Sequence, residues 1–199
     1  MARQQERSAR TRASLIAAAA QHFDDAGYNS TSLAQVCETA QMSVGAITFH
    51  FASKADLADA VEHEGKARAR TVLESTRTTA VALKAVVQLT VAFAELLEND
   101  VMVRAALRLA HERTTTDLLT EVWLPAVASP VGQAYALGLL GADVSARDVV
   151  DLAEYLARGA EARWRTSPPL PQHSRRLERV CELALRGVRL DGHDVTATS

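Results

Sequence analysis

The sequence is poor in aromatic residues and in cysteine, and each shortage narrows what the chain can be. Aromatics make up 5% of its 199 residues, and the 48% apolar content is mostly Ala, Leu and Val. That balance favours helices over a sheet sandwich. Its two cysteines, Cys37 and Cys181, both fall on apolar helical stripes. They read as small buried hydrophobes in a reducing cytoplasm and not as a disulfide framework. Near the N-terminus the one apolar run, 15–20, is too short for a signal segment or a membrane span, so a cytoplasmic location is expected. Catalytic signatures are missing too. There is no G-x-S-x-G and no Gly-rich phosphate loop, and neither His63-Glu64 nor His111-Glu112 meets a second histidine at zinc-protease spacing. No metal, no cofactor and no enzymatic activity is expected.

Net charge is small as well, formally −2 with a pI near 6.3, which by itself speaks against a nucleic-acid binder. The distribution reverses that reading. Arg3, Arg7, Arg10 and Arg12 oppose only Glu6 in the opening stretch, and a basic edge is enough for a few phosphate contacts. Residues 1–8 read as a mobile arm, with Arg3 and Arg7 either solvated or reaching a DNA backbone or minor groove. A helix follows from about Ser8 to Ala26, turning Ile16, Ala19, Ala20 and Phe23 inward and ending on Gly27.

What is present is organised around the stretch from Ser32 to His50. Apolar residues at Leu33, Val36, Cys37 and Ala40, then at Val44, Ile47 and Phe51, give two short helices, each with one buried face. The break between them has the length of a helix-turn-helix. Ser43 caps the second helix, Gly45 leaves room for a close helix crossing, and Thr31 or Ser32 caps the first. The outward face of the second helix carries Ser43, Val44, Ala46, Thr48 and His50, all small or hydrogen-bonding. After Phe51-Ala52, Ser53 and Asp56 form a capping box at the head of a long helix.

These residues resemble the N-terminal domain of the tetracycline-repressor (TetR) family. The resemblance rests on Phe23 to Gly27-Tyr28, Thr31, Gly45, and Phe49-His50-Phe51 followed by Ser53-Lys54, and it covers roughly the first third of the chain. The spelling FHFASK is most similar to the γ-butyrolactone receptors of actinomycetes. The resemblance implies DNA contact by Arg3, Arg7, Thr31, Ser32, Ser43, Val44, Gly45, Ala46, Thr48, His50 and Lys54, with Phe49 packing beside them. His50 either caps its helix or, as the resemblance implies, faces phosphate. Two departures shrink the reading surface: Thr48 stands where most relatives carry Tyr, and Val44 where many carry Lys.

From about Thr79 onward the pattern is helical. One stripe runs Leu83, Val86, Val87, Thr90, Ala94, Leu97; another Val103, Ala106, Leu107, Ala110; a third Leu118, Leu119, Val122, Trp123. Pro125 and Ser129-Pro130 then interrupt, and Pro168-Pro169-Leu170-Pro171 ends a later helix. Helices this apolar need partners on several sides, hence a bundle. Trp123 is either core or, as the resemblance implies, the wall of an effector cavity with Val87, Leu107, Leu119 and Glu154 around it. The polar ligand-binding positions of the receptors align with Gly65 and Glu154, which do not reproduce their hydrogen bonding. The stripes Val149, Leu152, Ala153, Leu156, Ala160 and Leu177, Cys181, Ala184, Leu185, Val188 are assigned to a four-helix interface between two subunits.

The expected molecule is therefore all-α. Residues 1–52 form a helix-turn-helix domain, 53–190 a helical-bundle domain for effector binding and dimerisation, and 191–199 a flexible tail. It is read as a homodimeric repressor of a palindromic double-stranded DNA operator, without membrane attachment. A small signal would release it: a γ-butyrolactone, a furan acid or an antibiotic end product, with secondary metabolism under its control. The alternative is a helical small-molecule-binding module with little DNA binding.

Overall fold

A computed structural model describes residues 2–76, 82–166 and 173–188, and among these it holds helices and no β-strand. They are α1 (Ala2–Ser30), α2 (Leu33–Ala40), α3 (Val44–His50), α4 (Lys54–Thr76), α5 (Ala82–Asn99), α6 (Val101–Arg113), α7 (Leu124–Ala136), α8 (Ala146–Thr166) and α9 (His173–Arg186). A π-turn, Leu119–Trp123, precedes α7. Packing divides the chain into two compact units, one of Met1–Ala69 with Asn99–Leu118, the other of Arg70–Glu98 with Leu119–Ser199.

The first unit is built on α1. Leu15, Ile16, Ala19 and Phe23 pack with Val36 and Cys37 of α2, Ile47 of α3, Leu57 and Val61 of α4, and Met102, Ala105 and Leu109 of α6, all buried. This core therefore takes in α6 as well as the helix-turn-helix. At Gly65 the crossing of α4 and α6 is so close that a Cβ would run into the Ala106 side chain and come 2.8 Å from the Met102 carbonyl. Glycine is required there by space.

α1 begins at Ala2, so residues 2–8 are helical and not the mobile arm that their polarity suggests. Gln, Arg, Glu and Ala are good helix formers, and Glu6 accepts from Arg10 one turn on at 2.6 Å, in the favourable acid-first order. Gly27 breaks the helix at φ 81°, ψ 177°, a backbone region that side chains avoid. Around it α6 holds the end of α1: Arg104 pairs with Asp24 at 2.8 Å, Arg108 donates to the Asp24 carbonyl at 2.6 Å, and Glu112 accepts the Tyr28 N–H at 2.6 Å.

In the second unit α5 is buried nearly all round. Phe93 packs on Trp123, and Val127, Val131, Val149, Ala153 and Ala157 complete the interior. The prolines do not interrupt here. Pro125 sits in the first turn of α7, directly after the π-turn, and Pro130 lies inside the helix, buried, so that packing offsets part of the lost bond. Ser145 and Asp148 form a reciprocal cap at the head of α8. The Pro168–Pro171 run and the tail 191–199 lie outside the described residues.

Candidate nucleic-acid interface

The helix-turn-helix is held by caps at each of its ends. Ser32 opens α2 with a full capping box: the Gln35 N–H donates to its Oγ at 3.3 Å, and its own N–H donates to Gln35 Oε1 at 2.8 Å. α2 closes on Gln41, which takes the left-handed conformation at φ 55°. Ser43 then opens α3, accepting from the Ala46 N–H at 3.3 Å. Ile47 is fully buried and fixes which way α3 faces.

With Ile47 inward, Ser43, Val44, Gly45, Thr48 and Phe49 stand in solvent, and Ala46 and His50 are half-buried. Gly45 meets no other helix; the nearest atom to a Cβ there is its own cap, Ser43 Oγ at 3.8 Å. It keeps the outward face low and does not allow a crossing. The Thr48 hydroxyl donates back to the Val44 and Gly45 carbonyls at 3.2 Å, which leaves its methyl and lone pairs outward. Phe49 does not pack beside these residues: it is 80% exposed, its ring edge-on to His50 at 5.1 Å.

Two residues expected at phosphate have partners within the chain. Thr31 is buried, and its hydroxyl donates to the Gly27 carbonyl at 2.8 Å. Lys54 donates to the Tyr28 and Thr31 carbonyls at 2.9 and 3.0 Å, with its ammonium 4.4 Å from the Tyr28 ring centre. The cation in the first turn of α4 thus answers carbonyls left open at the end of α1, a demand that sequence reading could not see. Arg113 faces the same ring and donates to Glu62 and Asp59, each at 2.6 Å, while Thr115 donates to the other Glu62 oxygen. Arg3 and Arg7 are exposed on the N-terminal turns of α1.

The residues expected around an effector are divided between the two units. Trp123 is fully buried, its indole N–H donating to the Leu89 carbonyl at 3.3 Å, the satisfied packing of a core residue. Val87 and Leu119 are buried in the same unit, whereas Leu107 belongs to the first unit. Glu154 is half-buried and paired with Arg158 at 2.8 Å, one turn along α8. A groove of about 190 Å³, which the sequence did not mark, lies beside the π-turn between Arg70, Leu73 and Glu74 on one side and Glu121, Val122, Pro125 and Ala126 on the other. Arg70 and Glu121 face each other there at 3.9 Å.

The stripes expected at a subunit interface are partly spent inside the chain. Val149 is buried, and Ala153, Cys181 and Leu185 are buried beside Val86 and Thr90 of α5. Burial pushes the Cys181 thiol up to about 11. Leu152, Leu156, Ala160, Leu177, Ala184 and Val188 remain half-buried, and Tyr155, Val180 and Leu183, which the stripes omit, are exposed. A groove of about 250 Å³ runs between α8 and α9, lined by Leu156, Ala160, Leu177 and Val180 among others. The large apolar side chains that α8 and α9 leave exposed are thus Tyr155, Val180 and Leu183. No helix among the described residues is long and apolar enough to cross a membrane, and none of their His, Cys, Asp and Glu side chains form a group of three or more placed to hold a metal.

Residues 15–61 match the family described as bacterial regulatory proteins, tetR family. The A-factor receptor protein of Streptomyces griseus is 33% identical over 108 residues, which is 54% of this chain and 37% of that protein. The crystal structure of a γ-butyrolactone receptor described as ArpA-like is 29% identical with a TM-score of 0.75, covering 93% of this chain and 91% of that one. The protein CprB of Streptomyces coelicolor, solved with its biological operator sequence, is 29% identical with a TM-score of 0.76, covering 94% and 92%.

Proposed function

We propose that this chain, which belongs to the tetR family of bacterial regulatory proteins and is built like the γ-butyrolactone receptors, is a dimeric repressor of a palindromic DNA operator that a small molecule releases. The observation that carries the reading is α3. Ile47 anchors it, and Ser43, Val44, Gly45, Thr48 and Phe49 form a low exposed ridge on a capped helix-turn-helix. A seven-residue helix with small residues toward its N-terminal end fits the major groove, with its first turn at the base edges. Phe49 and the Thr48 methyl suit thymine methyl groups, and the Ser43 hydroxyl suits phosphate or a base edge. Residues 1–52 are the part assigned to DNA, and the remainder to effector and partner.

For the effector we favour the groove at Arg70, Glu74, Glu121 and Val122. Its lining sets apolar Leu73, Val122 and Ala126 beside Arg70, which faces Glu121 at 3.9 Å, and Glu74, so its charge does not favour a furan acid over an uncharged lactone and both are candidates. α4 runs unbroken from Lys54 to Thr76, and a shift of its C-terminal end is the proposed signal. A hundredfold ligand preference for the released state supplies ~2.7 kcal/mol. Control of secondary metabolism belongs to the same proposal.

The test is a gel shift on palindromes selected from random DNA, followed by titration with a γ-butyrolactone, a furan acid and aromatic polyketides. Sequence-selective binding that one of these abolishes is the expected result. A protein that binds such small molecules but shifts no DNA is the alternative module instead.

A further inference from the structure

Arg12 lies one turn ahead of Leu15 and Ile16 on the packed side of α1, so its side chain is carried toward the helix-turn-helix and not away from it. Its guanidinium stands 5.2 Å from the centre of the Phe51 ring. Phe51 is 3% exposed and caps α3, its N–H donating to the Ile47 carbonyl at 2.8 Å. Arg12 itself is exposed, and among the described residues it forms no hydrogen bond or ion pair. Several other arginines of this unit differ: Arg10, Arg68, Arg104, Arg108 and Arg113 each meet a carboxylate. His50 is the adjacent polar group, its ring 6.4 Å from that of Phe51.

A planar cation parked on an aromatic face, with its donor edge in solvent, is oriented before any ligand arrives. The place decides the ligand. The N-terminal turn of a recognition helix meets base edges, and its C-terminal end leaves the groove near the phosphates that flank it. We propose that Arg12, stacked on Phe51 at the C-terminal end of α3, is a phosphate clamp that fixes how deeply and at what angle α3 enters the major groove. It supplies a backbone contact on a face where Val44 and Thr48 supply none. The inference rests on the repressor reading and adds a contact from outside the helix-turn-helix.

The experiment measures operator and random-sequence binding by the full-length protein against salt concentration, with thermal unfolding alongside. Arg12→Gln is expected to lower affinity for both DNAs alike and to reduce the slope of log K on log salt by about 0.9 per recognition head. Arg12→Lys keeps the charge but loses the fork and the stack, so it retains the slope and loses about threefold in affinity. A slope unchanged in Arg12→Gln overturns the proposal, and a lowered unfolding temperature beside an unchanged slope assigns Arg12 to packing alone. Wild-type protein that binds no DNA removes the repressor reading and the clamp together.

Discussion

Glu112 shows how one carboxylate is made to hold two helices. Burial works against its ionisation, but the Arg108 hydrogen bond, the Tyr28 N–H and the nearby positive charges outweigh it and bring it below its ordinary value of 4.5. Gly27 makes this possible, because any Cβ there would strike the Glu112 carboxylate and the Arg108 guanidinium at 2.8 Å. A carboxylate with a lowered folded value stabilises fully above its ordinary value and loses that contribution as pH falls through the folded one. Wild type and Glu112→Gln should therefore differ by a constant unfolding free energy well above the ordinary value of 4.5, and the gap should close as pH falls below it. Urea unfolding across that range measures it, and a gap that widens on acidification contradicts the assignment. The sequence offered Gly27 as a helix cap, and its φ agrees. It could not offer Glu112, which lies 84 residues beyond Tyr28 in the chain.

At the scale of helices, what was legible was local. The stripe of α5, the Ser43 cap and the Ser145 cap depend on neighbours within four residues, and they stand where the spacing puts them. Three features were not legible, and the last of them depends on a distant partner. α1 starts earlier than its polarity implied, the π-turn at Leu119–Trp123 inserts an extra residue per turn, and Lys54 serves carbonyls of an earlier helix. The Thr31 or Ser32 choice illustrates the limit: both residue types can cap, and only the fold shows that Thr31 is buried and Ser32 caps. Removing that cap tests how far α2 relies on it. Ser32→Ala loses one half of the box and should cost about 1 kcal/mol of stability. Chemical denaturation reads the loss directly. A change within ~0.3 kcal/mol would mean that packing of Val36 and Cys37 alone positions α2.

For the whole molecule, the question is what covers the outer side of α8 and α9. Tyr155 is 73% exposed and Leu183 55%, on helices whose opposite sides are already sunk against α5. Large apolar side chains in such positions are costly in a lone chain and normal in a symmetric interface, where each helix pair meets its own copy. A dimer also explains why a short recognition helix suffices, since two heads spaced one DNA turn apart, ~34 Å, read a palindrome together. The choice of probe follows from burial. Charging Val149, Ala153 or Leu185 would break the core of the subunit and say nothing about assembly. Tyr155→Glu with Leu183→Glu leaves that core intact, so the double variant should keep its helicity and unfolding cooperativity while sedimenting as a monomer. Its affinity for a palindrome should fall by at least about a hundredfold, toward that of a single half-site, because the linkage between heads is lost. A folded double variant that still sediments as a dimer would place the subunit contact on another face.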